Sequence, residues 1–201
     1  MTDVAAIILA AGLSRRMGTN NKLLLPVGGI PMIRHVVMQY RSALSGPITV
    51  VTGHEAPRVT AALEDLEVDC AFHAGFEQGQ QTSVAFGLSK CPDAEVVLIG
   101  LGDQPYLRAE DITTLVEAHH NAAPNKISIP ALDGTRGTPI AVPRALRPRL
   151  TADPSRPGCM RFTRDNPQLV QRHGLTARGF YCDVDTPDAY ALVSNEEDAL
   201  S

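Results

Sequence analysis

Short apolar runs rich in branched residues alternate along this chain with longer stretches whose apolar side chains return every three or four positions. Ala5 to Leu9, Ile48 to Thr52, Cys70 to His73 and Val96 to Leu101 read as strands. Residues 32 to 44 place Ile33, Val36, Val37, Tyr40 and Leu44 on one helical face, ahead of Gly46 and Pro47. Further helices are predicted over Arg58 to Leu66, Thr82 to Ser89 and Ala109 to Ala122. Strands that are apolar throughout are buried on both faces, so the alternation predicts βαβ units: a mostly parallel central sheet between two layers of helices.

The regularity falls after Pro124. Lys126 to Pro130 and Pro139 to Val142 read as strands, Gly134 to Gly137 as a loop, and Arg147 to Pro157 as an exposed connection. A final helix is expected from Pro187, with Thr186 as its N-cap. The expectation is one α/β domain over residues 1 to 195, followed by a frayed tail over residues 196 to 201.

Composition narrows the function classes. At 201 residues and 44% hydrophobic content the chain can bury one substantial core. A net charge of −4 argues against a broad nucleic-acid surface, so any phosphate site must be local. Cys70, Cys91, Cys159 and Cys182 are widely spaced, which favours neither a disulfide framework nor a zinc site and fits a reduced cytoplasmic compartment. The N-terminal apolar run follows Asp3 instead of a basic segment, and no run reaches the about 18 residues of a membrane span.

The segment from Leu9 to Lys22, LAAGLSRRMGTNNK, follows the first strand directly. Ala10, Ala11 and Gly12 leave room for backbone amides to approach an anion, Gly18 permits a turn, and Arg15, Arg16 and Lys22 can neutralise phosphate. The segment fits neither GxxxxGK followed by Ser or Thr nor GxGxxG. Asp103, after the strand Val96 to Leu101, sits where open α/β sheets bind ligands; its spacing alone suits a metal carboxylate or a turn residue equally. Asp183 and Asp185 alternate along the chain and can project to one side, although a strand end capped into a helix explains them as readily. His119 and His120 fall at a helix end, where solvent or the helix dipole accounts for them.

LAAGLSRRMG followed by Lys22 resembles the signature of the nucleotidyltransferases similar to molybdenum cofactor cytidylyltransferase and its guanylyltransferase relatives. The resemblance implies a single-domain, Rossmann-like three-layer sandwich of the nucleotide-diphospho-sugar transferase kind. It implies that Leu9, Ala10, Ala11, Gly12, Arg16, Gly18 and Lys22 hold a nucleoside triphosphate. Asp103, in a GDxP-like element, and Asp185, in DVDTPDAY, would then bind Mg²⁺, with Asp183 the second choice to Asp185. The LAAG spelling resembles cytidylyl-transferring members, whereas guanylyl-transferring ones typically read LAGG.

Residues 76 to 88, FEQGQQTSVAFGL, resemble the segment facing cytosine and ribose, which brings in Gly79, Thr82 and Ser83; Gln80 and Gln81 depart from the usual GMGSSL. Gly134 to Pro139 resemble a GxRGHP element beside the acceptor, with Arg136 as a phosphate partner and Thr138 in place of His. GCMRF, residues 158 to 162, partly resembles a further acceptor-side element. The implied reaction is Mg²⁺-dependent transfer of CMP from CTP onto the phosphate of molybdenum-molybdopterin, releasing pyrophosphate. A molybdenum hydroxylase is the implied protein partner, with no nucleic acid and no membrane. The alternatives are GTP as donor, another phosphorylated acceptor such as a methylerythritol phosphate or sugar phosphate, or a non-catalytic molybdenum-cofactor chaperone.

Overall fold

The first strand, β1 (Val4–Ala10), is buried along its whole length, and its alternate side chains feed two separate cores. Ala6 and Ile8 pack on one side and Ala5, Ile7 and Leu9 on the other. Ile7 and Ile8 have no exposed surface, and burying an aliphatic side chain of that size contributes about 1.5–3 kcal/mol. The computed structural model describes residues 3–91, 93–152 and 159–198.

A small hairpin, β2 (Pro26–Val27) and β3 (Ile30–Pro31), leads into α1 (Met32–Ala43). Then come β4 (Ile48–Thr52), α2 (Ala56–Ala61), β5 (Asp69–Phe72), α3 (Gln80–Lys90) and β6 (Val96–Leu101). The second half comprises α4 (Ala109–Asn121), β7 (Ile127–Leu132), β8 (Thr135–Arg136), β9 (Ile140–Pro143), α5 (Arg147–Leu150), α6 (Cys159–Asp165), β10 (Val170–His173) and α7 (Pro187–Asp198).

The central sheet runs β10-β7-β9-β6-β1-β4-β5, with β8 paired to β7. Its neighbours are parallel except where β9 meets β6 and β7 and where β8 meets β7. One core takes Ile33, Val36, Val37 and Tyr40 of α1, Val59 of α2, and Ile112 and Leu115 of α4. The other takes Val84 of α3, Leu150 of α5 and Cys159 of α6. The expected three-layer α/β sandwich is therefore what the chain forms.

Several local expectations change. Gly134 to Gly137 is not an open loop: Thr135 and Arg136 pair with Leu132 and Ala131 as a hairpin. The helix expected over Arg58 to Leu66 is the shorter α2, and the rest is turn, although Leu63 remains buried. The connection expected from Arg147 begins with α5, whose Leu150 is buried; its residues 153 to 157, and Gly158 of GCMRF, lie outside the described residues. Thr186 caps α7 as expected, its Oγ1 accepting from Ala189 N at 3.2 Å. The helix then runs through residues 196 to 198 of the expected tail, and 199 to 201 lie outside the described residues.

Candidate active site

At the carboxyl edge of the sheet the chain leaves β1 at Ala10 and makes two tight turns before β2. Ser14 takes φ 50° and Gly18 φ 66°, which folds the arginine-bearing turn back over the end of the strand. Ser14 Oγ accepts from Lys22 N at 3.2 Å. Asn21 is buried, and its Oδ1 accepts from Leu23 N at 3.1 Å, capping the turn that carries Lys22. Ser14 and Asn21 thus aim Lys22 inward, a role that sequence reading did not assign to either.

Next to β1, Gly102 N donates to Leu9 O at 2.9 Å, so the end of β6 is held against the end of β1. Asp103 O accepts from Val184 N at 2.9 Å, and the buried Gln104 amide donates to Gly179 O at 3.3 Å and Phe180 O at 3.4 Å. The segment from Gly179 to Asp185 is therefore docked onto the end of β6 by amide bonds ahead of the two aspartates and a backbone bond between them. Close approach requires Gly179, where an added Cβ would lie 2.5 Å from Leu107 Cα.

This docking gathers the charges. Oxygens of Asp103, Asp183 and Asp185 lie within 4.8 Å of one another. Lys22 Nζ donates to Asp103 Oδ2 and, at 2.7 Å, to Asp185 Oδ1. Arg16 Nη2 donates to Asp185 Oδ2 at 2.5 Å. Asp103 Oδ1 is buried and has no hydrogen-bond partner among the described residues.

Burial pushes the Asp103 carboxyl above its ordinary value, against the pull of Lys22. Burial also works against the Lys22 ammonium, but Asp103 and Asp185 outweigh it and hold the lysine high. Desolvation is the largest influence on Asp185 and would raise it, yet Lys22 and Arg16 together hold it below the usual carboxylate range. Three hard oxygen donors around one unpartnered carboxylate oxygen suit a divalent cation of the Mg²⁺ or Mn²⁺ kind.

The cleft over this cluster has a volume of about 490 Å³. Leu9, Ala10, Ala11, Gly12, Arg16, Lys22, Gly79, Ser83, Asp103 and Asp185 all line it. Gly18 and Thr82 do not: Gly18 shapes the turn, and Thr82 Oγ1 instead donates to Gly79 O at 2.8 Å. Phe76, the first residue of the segment that resembles the cytosine-facing element, forms part of the wall, and the bare backbone of Gly53 behind it gives it room.

Arg136 also stands apart from the cleft lining. It lies on β8, paired with Ala131 at the carboxyl end of β7. The guanidinium is half-buried and donates to Thr163 Oγ1 at 2.5 Å, with no carboxylate partner among the described residues. Burial lowers its pKa. The neighbouring Cys159 thiol, pushed up to about 12 by burial, stays neutral and gives no counter-charge.

A mostly parallel sheet whose carboxyl edge joins Arg16 and Lys22 to three carboxylates, in a cleft partly walled by small residues, defines an α/β domain with its candidate site at the strand ends. A family model described as a MobA-like NTP transferase domain matches residues 6–172, and the chain belongs to that family. The bifunctional protein GlmU of Corynebacterium aurimucosum is 32% identical over 154 residues, covering 73% of this chain and 31% of that protein. The chain thus spans about a third or less of the length of such curated relatives, as the 25% share of the Xanthomonas oryzae protein also shows.

A nucleotidyl transferase from Methanothermobacter thermautotroptrophicus superposes with a TM-score of 0.83 at 20% identity, over 99% of both chains. Rv0371C of Mycobacterium tuberculosis, in complex with manganese, does so with a TM-score of 0.78 at 20% identity, over 96% of this chain and 98% of that one. These likenesses carry the fold. Among the described residues, no helix is long and apolar enough to cross a membrane.

Proposed function

We propose that this protein transfers CMP from CTP, as its divalent-metal complex, onto the phosphate of molybdenum-molybdopterin, with release of pyrophosphate. The observation that carries the reading is the buried, unpartnered Asp103 Oδ1 inside a cluster that also holds Lys22, Arg16, Asp183 and Asp185. Mg²⁺ is the expected metal, held by Asp103 and Asp185 with Asp183 beside them. Bound there, it supplies charge neutralisation along the phosphate chain. That a structural neighbour is described in complex with manganese supports a divalent ion.

The chain's own residues do the rest by position and charge. Backbone amides from Ala10 to Gly12 approach the triphosphate without obstruction from side chains. Arg16 and Lys22 take the charge that develops on departing pyrophosphate. No protein nucleophile is required, because an acceptor phosphate oxygen attacks the α-phosphorus and the bond to the β-phosphate oxygen breaks. Arg136 receives the acceptor phosphate: a half-buried guanidinium without a carboxylate partner among the described residues can engage two of its oxygens. The Ala11 methyl, in the cleft wall, supports CTP over GTP.

Incubation with CTP or GTP labelled at the α-phosphate, together with purified molybdopterin cofactor, tests the reading. A labelled pterin dinucleotide formed from CTP is expected. Label transferred only from GTP, or only onto a different phosphorylated acceptor, would replace it with one of the related transferases; cofactor binding without nucleotide consumption would make the protein a carrier.

A further inference from the structure

Asp103 and Asp185 are not equally available. Both oxygens of Asp185 are already taken, Oδ1 by Lys22 at 2.7 Å and Oδ2 by Arg16 at 2.5 Å. Asp103 gives one oxygen to Lys22 and keeps Oδ1 free, buried and facing no partner among the described residues. The two cations that would bind a triphosphate are therefore, in the free protein, tied to the carboxylates that would bind its metal.

We infer that Lys22 and Arg16 act as placeholder cations on Asp185, so that each oxygen of Asp185 is freed for the metal as a triphosphate draws its cation away. This rests on the metal site of the proposed function and adds an order to it. Asp103 receives the metal first through its open oxygen. Asp185 joins in the complex with triphosphate, because each phosphate oxygen that engages Arg16 or Lys22 frees one carboxylate oxygen.

The exchange is electrostatically consistent. Metal alone must enter beside two cations, and triphosphate alone must enter beside three carboxylates, so each is opposed by like charge at short range. Together each ligand takes the partner that the other releases. The two ligands consequently bind cooperatively, and the coupling passes through Asp185. The ion pairs also hold the C-terminal segment in place beforehand, with Lys22 bridging Asp103 and Asp185 across the cleft.

A mutant cycle on the purified protein tests this, with free Mn²⁺ read by electron paramagnetic resonance and no nucleotide present. Arg16 is 66% exposed, so Arg16→Gln leaves the fold intact. This variant is expected to bind Mn²⁺ alone about fivefold tighter than wild type, because Asp185 Oδ2 is released. Asp185→Asn is expected to lie within about threefold of wild type, and to cancel the gain when combined with Arg16→Gln. Calorimetry with the preformed Mn²⁺–tripolyphosphate complex supplies the second arm, where Asp185→Asn is expected to weaken binding at least about tenfold.

The inference is overturned if Arg16→Gln binds Mn²⁺ no tighter, or if Asp185→Asn costs as much with Mn²⁺ alone as with the tripolyphosphate complex. Asp103→Asn separates this failure from a failure of the metal site itself. If that variant binds Mn²⁺ as wild type does, the site is misassigned and both readings fall.

Discussion

A Cβ on Gly53 would lie 2.6 Å from Phe76 Cγ and 2.8 Å from Ala11 Cβ, so the bare glycine is what lets these two residues of the cleft wall close on the end of β4. Neither contact is the far end of a flexible chain. Gly53→Ala is therefore expected to push Phe76 outward at a cost of about 1–3 kcal/mol, the usual range for overpacking. The nucleotide KM should rise several-fold while the fold persists, which steady-state kinetics and a thermal melt check together.

Asp103→Asn removes the charge without altering the shape of the side chain. Turnover, followed as pyrophosphate release, is expected to fall at least about a hundredfold, in line with loss of a metal ligand or of a principal electrostatic group. The Tm should hold, since the amide can still fill the same buried space. Near-normal release would remove Asp103 from the metal site.

Arg136→Gln separates donor from acceptor. Its guanidinium does not line the cleft, so the KM for CTP is expected to stay within about twofold while that for the phosphorylated acceptor rises about tenfold or more. Equal effects on both substrates would place Arg136 in the general packing of the hairpin.

His119 governs a stability effect away from the site. It is fully buried, its Nδ1 lies 2.8 Å from Ser128 Oγ, and burial lowers its pKa to about 4. The unfolded chain takes up that proton near pH 6.5, whereas the folded chain resists it until about pH 4. Between these values the unfolded state holds more protons, so stability is full above about pH 6.5 and falls as pH drops towards 4. Urea unfolding at pH 7.5 and pH 4.5 should differ by about 2–3 kcal/mol from this residue, and His119→Gln should remove that part of the difference.

The expectation that His119 needs only solvent or the helix dipole fails for a reason that illustrates what sequence conveys. α1, α4, β1, β4 and β6 are legible because their apolar side chains repeat with one period, or fill every position of a strand buried on both faces. β10 carries Gln171 and Arg172 at the sheet edge, where no apolar run is needed, and its pairing with β7 cannot be read locally. Arg16, Lys22, Asp103 and Asp185 converge as their motifs implied, since each is fixed by a strand end or a tight turn. Asn21 and Gly53 escape because their roles exist only in contacts with distant parts of the chain: Asn21 Nδ2 donates to His54 O at 3.4 Å, 33 positions away. His119 belongs with them, its partner Ser128 lying in the next strand.

Arg16 and Asp185 meet across 169 positions of sequence, and Lys22 and Asp103 across 81. The strands that lead into Lys22 and Asp103 are thus complete once β6 is made, whereas Asp183 and Asp185 come from a segment much further along the chain. The carboxylate cluster is therefore assembled only when the segment around Gly179 to Asp185 docks onto the end of β6, so the cleft and its full charge set are acquired in separate steps.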